Sequence, residues 1–303
     1  MASPLSKPNL TENTPLKPAR TLVIGCGYLG KCVAKNAILL GDSVWGTTRQ
    51  HNKFEEFRAL GIEPLILDWT QGDTLSGLPE VDRILISVSY DRENQHSRRE
   101  SQVGGLGNLL KVIPPQTPLC YISTTGVYHQ TDGQWVDEES SAVPTREGGQ
   151  VHLEAERLLE QLRPKSSWTT LRLAGIYGPN RVPRAADVKA GRPIASPPEG
   201  YLNLIHVEDA AAAVLASWSQ ETEKLYVVAD DEPVIRGEFY REIARQTQAP
   251  EPKFIAPDPN APVTMRSSSN KRIRNQRMRR DLVPSLRFPT FREGLADVLG
   301  PQS

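Results

Sequence analysis

Leu22-Val23-Ile24-Gly25-Cys26-Gly27-Tyr28-Leu29-Gly30 is the stretch whose reading decides the fold. The apolar run predicts a buried strand. The pattern Leu29, Val33, Ala34, Ala37, Ile38 behind it predicts a helix. Between them stands G-x-G-x-x-G, in the strand-turn-helix setting that gives this motif its meaning. Gly25 suits the tight turn, Gly27 lets backbone approach a pyrophosphate, and Gly30 lets helix pack on strand. A pyrophosphate there meets the free N–H groups and the positive dipole end of the helix. Gly25, Gly27, Tyr28, Leu29 and Gly30 are therefore expected to bind a dinucleotide. The alternative is a tight turn that binds nothing.

The second strand, Ser43-Val44-Trp45-Gly46-Thr47, points to the kind of dinucleotide. An NAD site carries an acid about 20 residues past the glycines, on the ribose hydroxyls. Here the place holds Thr47-Thr48-Arg49. A guanidinium gives a 2′-phosphate paired, charge-assisted hydrogen bonds, whereas a carboxylate repels it. NADP is expected over NAD, with Arg49 the discriminator and Thr48 assisting; the alternative for Arg49 is a solvated charge at a strand end.

Outward from this unit, strand and helix patterns alternate, which predicts a mainly parallel sheet covered by helices. The third strand, 64–67, ends at Asp68 and Trp69, where an adenine would lie; Asp68 either accepts from its amino group or serves a turn. The fourth strand, 83–89, carries small Ser87 and Ser89, which leave room for a cofactor. A polar stretch from Tyr90 follows, and Tyr90 would border the nicotinamide. The fifth strand, 119–123, runs into Thr124-Thr125-Gly126-Val127-Tyr128; a helix at 149–163 and a sixth strand at 168–173 come next.

Composition narrows the partners. The chain has 303 residues, and 36 Lys+Arg balance 36 Asp+Glu. That balance argues against nucleic acid as a partner, as does the lack of aromatics within the basic run from Arg266 to Arg280. That run either faces an anionic small molecule or is solvated surface. No apolar run approaches the roughly 20 residues that span a bilayer, and no apolar h-region marks a secretory signal. Residues 1–19 read as a disordered tail. Cys26, Cys32 and Cys120 are too few and too scattered for a disulfide framework or a metal site, so no metal is expected and a cytoplasmic location is.

Four segments together resemble the extended or atypical short-chain dehydrogenase/reductases, the NAD(P)-dependent epimerase/dehydratase group. They are the glycine loop, Ile122-Ser123-Thr124-Thr125-Gly126-Val127-Tyr128, Leu171-Arg172-Leu173-Ala174-Gly175-Ile176-Tyr177-Gly178-Pro179, and Asn203-Leu204-Ile205-His206-Val207-Glu208-Asp209-Ala210. The resemblance implies a Rossmann-like, doubly wound α/β domain (20–174 and 201–224) with a small C-terminal α/β substrate domain (175–200 and 225–303). It implies that Thr124 holds the substrate oxygen, with Ser123 beside it near the cofactor. It also implies that the loop after the sixth strand, with Tyr177, borders the nicotinamide. Arg181 and Arg184 are candidates for an anionic substrate group.

The group's tyrosine, with a lysine four residues on, is missing. Alignment on Leu153-Glu154-Ala155-Glu156 sets Gly148 at the tyrosine position and His152 at the lysine position. An i, i+4 pair is needed to bring a phenol and a cation onto one helix face, and no Tyr-x-x-x-Lys occurs in the chain. Substitutes are His152, whose ordinary pKa suits proton transfer, or Tyr128, a phenol close to Thr124 in sequence; the alternatives are an exposed helical histidine and a wall tyrosine. The implied function is an NADP(H)-dependent oxidoreductase or epimerase/dehydratase acting on a carbonyl or alcohol of a small, sugar-like or anionic molecule. The rival is a non-catalytic NADP(H) sensor.

Overall fold

The computed structural model describes residues 18–93, 95–220, 224–256 and 270–300. Most of the tail, and Arg266 of the basic run, lie outside the described residues.

Seven strands build the central sheet. They are β1 (Arg20–Ile24), β2 (Ser43–Thr48), β3 (Glu63–Ile66), β4 (Arg83–Ile86), β5 (Leu119–Thr124), β6 (Trp168–Leu173) and β7 (Leu225–Val228). All pair in parallel, in the order β7-β6-β5-β4-β1-β2-β3. The order reverses between β1 and β4, and a crevice opens there at the carboxyl ends of the strands. Continuous apolar strands such as Leu22-Val23-Ile24 and Ile84-Leu85-Ile86 are buried on both sides, as parallel sheets require.

Helices cover both faces. α1 (Tyr28–Leu39) and the Val207–Ser217 helix lie on one face, sharing Val33, Ala34, Ala37, Ala210, Ala213 and Val214. Their small side chains let the two helices lie close. α2 (Phe54–Ala59) follows β2. The other face is filled from α3 (Gly105–Val112) and α4 (Glu147–Leu162) by Leu106, Leu109, Val151, Ala155 and Leu159. A separate cluster of Ile194, Val234, Phe239, Ile243, Phe291 and Leu295 forms the core of a smaller lobe.

One boundary needs correction. Residues 225–228 belong to the main sheet, not to the small lobe, because β7 pairs with β6 from Leu225↔Thr170 to Val228↔Leu173. Tyr226, Val227 and Val228 are fully buried. A strand apolar on both faces needs a sheet covered on both sides. Conversely, Tyr201–Leu202 pairs with Val234–Ile235, so the small lobe includes both.

Candidate functional site

The glycine loop sits at the strand-order reversal. Gly25 has φ +81°, and a Cβ there would lie 2.8 Å from the Ser87 carbonyl oxygen and from Val88 Cα. Gly25 N–H donates to Thr47 Oγ1 at 2.9 Å, and Ser87 Oγ donates to the Gly25 carbonyl at 3.2 Å. Thr47, which sequence reading left unassigned, thus ties the loop to β2. A Cβ on Gly30 would meet the Gly25 carbonyl oxygen at 2.8 Å and Val23 Cγ1 at 2.9 Å. At Gly27 a Cβ would meet nothing within 4 Å. The space in front of Gly27, at the start of α1, is therefore open. An open approach over a braced loop is what a pyrophosphate needs, and these residues fit a dinucleotide.

A cleft of about 390 Å³ opens here. Gly25, Gly27 and Tyr28, Thr48 and Arg49, Asp68 and Trp69, and Ser87 to Ser89 line it. Leu29 and Gly30 pack behind, both buried in α1. Cys26 is also buried, which pushes its thiol up to about 12, so it acts as a small packing residue.

At the β2 end, Arg49 Nη2 pairs with Asp91 Oδ2 at 2.6 Å, both side chains half exposed. The Glu93 N–H and the Arg49 guanidinium hold the Asp91 carboxyl below the ordinary carboxylate range. Lys31, Lys53 and Glu56 line the same end, with Lys31 Nζ 2.5 Å from Glu56 Oε1. Sequence reading missed these three; Lys53 ends the short 3-10 turn His51–Lys53 that leads from Arg49 into α2. Thr48 Oγ1 accepts from Gln50 N–H at 3.1 Å. Asp68 Oδ1 accepts from the Thr70 N–H and hydroxyl at 3.0 and 2.6 Å, which makes a turn, while the residue still lines the cleft. Trp69 is buried, and its ring packs against Gly105.

Tyr28 joins the glycine loop to the loop after β6. Its hydroxyl donates to the Pro179 carbonyl at 3.1 Å, and the Arg181 guanidinium lies 5.1 Å from its ring centroid. Arg181 therefore stands over the glycine loop. Arg184 pairs with Asp187 at 3.4 Å. The side chain of Tyr177 belongs to the core. It is fully buried in the small lobe's cluster, its hydroxyl against Gly294 and its ring edge-on to His206 at 5.3 Å.

At the β5 end, Thr124 Oγ1 accepts from Gly126 N–H at 3.0 Å and caps the short turn Thr125–Val127. The Ser123 hydroxyl donates to Glu156 Oε1 at 2.5 Å. Glu156 is held by Arg172, whose Nη2 lies 2.6 Å from Oε2, and Arg172 Nη1 donates to the Tyr128 hydroxyl at 2.8 Å. Tyr128 is 2% exposed, and burial pushes its phenol up to about 12 despite Arg172. Burial and the Arg172 contact fit the reading of Tyr128 as a wall residue. Ser123, Glu156, Arg172 and Tyr128 form one buried polar network that joins β5, α4 and β6.

His152, on α4, is not an exposed helical histidine. Its Nδ1 lies 3.0 Å from the Tyr121 hydroxyl. Burial lowers its pKa to about 4, so the ring is neutral. Burial drives the Tyr121 phenol well above its ordinary range, so Tyr121 keeps its proton. Tyr121 donates to Nδ1 in the tautomer that carries the imidazole proton on Nε2, and accepts from Nδ1 in the other. Gly148 lies one turn earlier on α4, and its bare face is covered by Arg98, whose Cζ and Nη1 are 3.9 Å from where a Cβ would stand. Arg98 in turn lies 4.3 Å over the Tyr90 ring, and the Tyr90 hydroxyl donates to the His96 carbonyl at 3.2 Å.

The basic run is largely spent within the fold. Lys271 Nζ is buried, 3.2 Å from the Tyr128 carbonyl oxygen, and burial lowers it to about 8. Arg277 pairs with Glu139 at 2.5 Å, Arg279 with Asp231 at 3.6 Å and Arg280 with Asp281 at 2.6 Å. Asp209 accepts from the Arg287 and Phe288 N–H groups at 2.7 and 2.9 Å, fixing the helix to the C-terminal segment. Among the described residues no helix is long and apolar enough to cross a membrane, and no cluster of His, Cys, Asp and Glu is placed to hold a metal.

Comparison with known proteins agrees with this architecture. The chain is 27% identical over 243 residues to the protein YeeZ of Escherichia coli strain K12, covering 78% of this chain and 86% of YeeZ. A conserved protein of Silicibacter pomeroyi of known structure superposes with a TM-score of 0.77 at 31% identity, covering 93% of this chain and 99% of that one. The UDP-glucose 4-epimerase of Thermotoga maritima, solved with UDP-glucose, superposes with a TM-score of 0.77 at 16% identity, covering 92% and 97%, and shares the fold. The model of the NAD dependent epimerase/dehydratase family matches residues 21–229, and the chain belongs to that family.

Proposed function

We propose that this chain is an NADP(H)-dependent oxidoreductase or epimerase/dehydratase-type enzyme acting on a carbonyl or alcohol of a small, sugar-like or anionic molecule. The observation that carries the reading is the cleft over the open face of Gly27, with Arg49 directly after β2 and Lys53 lining the same end. A 2′-phosphate would draw Arg49 from Asp91, and the bidentate fork of the guanidinium suits it. When bound, the nicotinamide supplies or accepts the hydride. Thr124 would hold the substrate oxygen through its hydroxyl. The neutral His152 would offer its Nε2–H to a ribose hydroxyl or to the substrate oxygen, with Tyr121 fixing the ring. Tyr28 and Arg181 would close the cleft over the pyrophosphate.

A second reading, a non-catalytic NADP(H) sensor, is favoured by one feature: Gly148 and His152 stand where the family's proton-carrying pair would be, and the nearby Tyr128 hydroxyl is taken by Arg172. Assaying NADPH oxidation against aldehydes, ketones and nucleotide sugars separates the two. Substrate-dependent loss of nicotinamide absorbance that falls in Thr124→Val supports the enzyme. NADPH binding with no turnover across the panel supports the sensor.

A further inference from the structure

Arg98 has no part in the dinucleotide cleft as described so far, yet it is held as a binding group is held. In the segment between β4 and α3, its guanidinium carbon stands over the Tyr90 ring, 4.3 Å from the centroid. Tyr90 is itself anchored to His96, and Glu100 braces the turn by accepting from the Ser97 N–H at 2.8 Å. The guanidinium also reaches Gly148, its Cζ and Nη1 3.9 Å from where a Cβ would stand. Among the described residues its one ion pair is a long contact, Nε to Glu147 Oε2 at 3.4 Å, and the Glu147 side chain is two-thirds exposed. Among the described residues, Arg98 Nη1 and Nη2 make no hydrogen bond. Four N–H donors of a partly buried, stacked guanidinium thus remain available.

The location matters as much as the free donors. Ser89 and Ser101, on either side of this segment, line the cleft. α4 packs so tightly on the turn after Thr124 that a Cβ on Gly149 would run into the Gly126 carbonyl. Arg98 lies against Gly148, one turn from His152, and the neighbouring Gly149 packs on the turn after Thr124, so these groups lie near one another at the start of α4. A planar guanidinium with both terminal nitrogens free matches the two oxygens of a carboxylate or phosphate.

We propose that Arg98 is an anion-recognition residue of the substrate end of the cleft, and that a carboxylate or phosphate group of the substrate seats on its guanidinium beside Gly148. The proposal takes the substrate end from the function proposed above, and its test does not depend on the cofactor. Arg49→Ala protein, which removes the guanidinium at the other end, is titrated calorimetrically with inorganic phosphate and separately with malonate, with and without a further Arg98→Ala or Arg98→Lys change. NADPH binding to the unmodified protein is measured alongside, and melting curves confirm that each variant is folded.

One of the two anions is expected to bind, with Arg98→Ala weakening it about tenfold or more and Arg98→Lys giving an intermediate loss. Which anion binds distinguishes phosphate from carboxylate. Binding that is equal in all variants, or absent for both anions, overturns the proposal whatever NADPH does. Loss of anion binding in Arg98→Ala together with no NADPH binding would retain the anion site and reject the cofactor reading.

Discussion

Gly25 and Gly27 stand two residues apart in the same loop, yet their surroundings predict opposite consequences for replacement by alanine. At Gly27 a methyl group would meet no protein atom within 4 Å, and the φ of −87° imposes no left-handed strain. Gly27→Ala should therefore change stability by no more than about 0.5–1 kcal/mol. The methyl would occupy the approach that a pyrophosphate needs. Displacing one charge-assisted N–H contact to phosphate costs about 1.5–3 kcal/mol, or roughly 10- to 100-fold in NADPH affinity. At Gly25 the φ of +81° and the backbone of Ser87 and Val88 at 2.8 Å both oppose a side chain. Left-handed strain adds roughly 1–3 kcal/mol and overpacking about as much again, a melting-point loss on the order of 10 °C. Differential scanning fluorimetry and NADPH fluorescence titration read the two quantities independently. If Gly27→Ala bound NADPH as the parent does, or if Gly25→Ala melted like the parent, the geometry assigned to the loop would be wrong.

Two further predictions concern the buried polar groups. His206 is fully buried and its pKa is lowered from 6.5 to about 4, so on acidification the unfolded chain takes up the proton first. Its contribution is intact above the unfolded pKa and is lost as pH falls from 6.5 toward 4; moving from pH 7 to pH 5 should cost roughly 2 kcal/mol. His206→Asn keeps an acceptor for the Glu208 N–H without titrating. Urea unfolding at the two pH values should show a smaller pH-dependent loss in that variant, and an unchanged loss would reject the assignment. Arg172→Met would strand the Glu156 carboxylate in the β5–α4–β6 network and should cost about 3–5 kcal/mol. Adding Glu156→Met should recover much of it in thermal melts; an additive second loss would mean that the pair is not coupled.

The parallel sheet was legible because its signals are local. Leu22-Val23-Ile24 followed by three spaced glycines encodes strand, turn and helix within nine residues, and the later strands repeat the apolar pattern. What local pattern could not reveal was the partner of a polar group. The partner of the Tyr128 hydroxyl is Arg172, 44 residues away. Arg49 finds Asp91 across 42 residues. His152 looks exposed on a polar helix until Tyr121, from the strand beneath, reaches its ring. Leu225-Tyr226-Val227-Val228 reads plainly as a strand, but nothing in four apolar residues says which sheet receives them. Arg98 is one charge among many in a polar stretch, and only Gly148 and Tyr90, brought to it by the fold, distinguish it.

The central claim is that the cleft over Gly27 holds a dinucleotide whose 2′-phosphate is read by Arg49. Titrating the purified protein with NADPH and NADH, followed by fluorescence, in the parent and in Arg49→Ala, tests it most directly. The account predicts tighter NADPH than NADH binding in the parent, and a loss in Arg49→Ala that falls about tenfold or more on NADPH while sparing NADH. Binding of neither nucleotide, or equal losses of both in the variant, would contradict it.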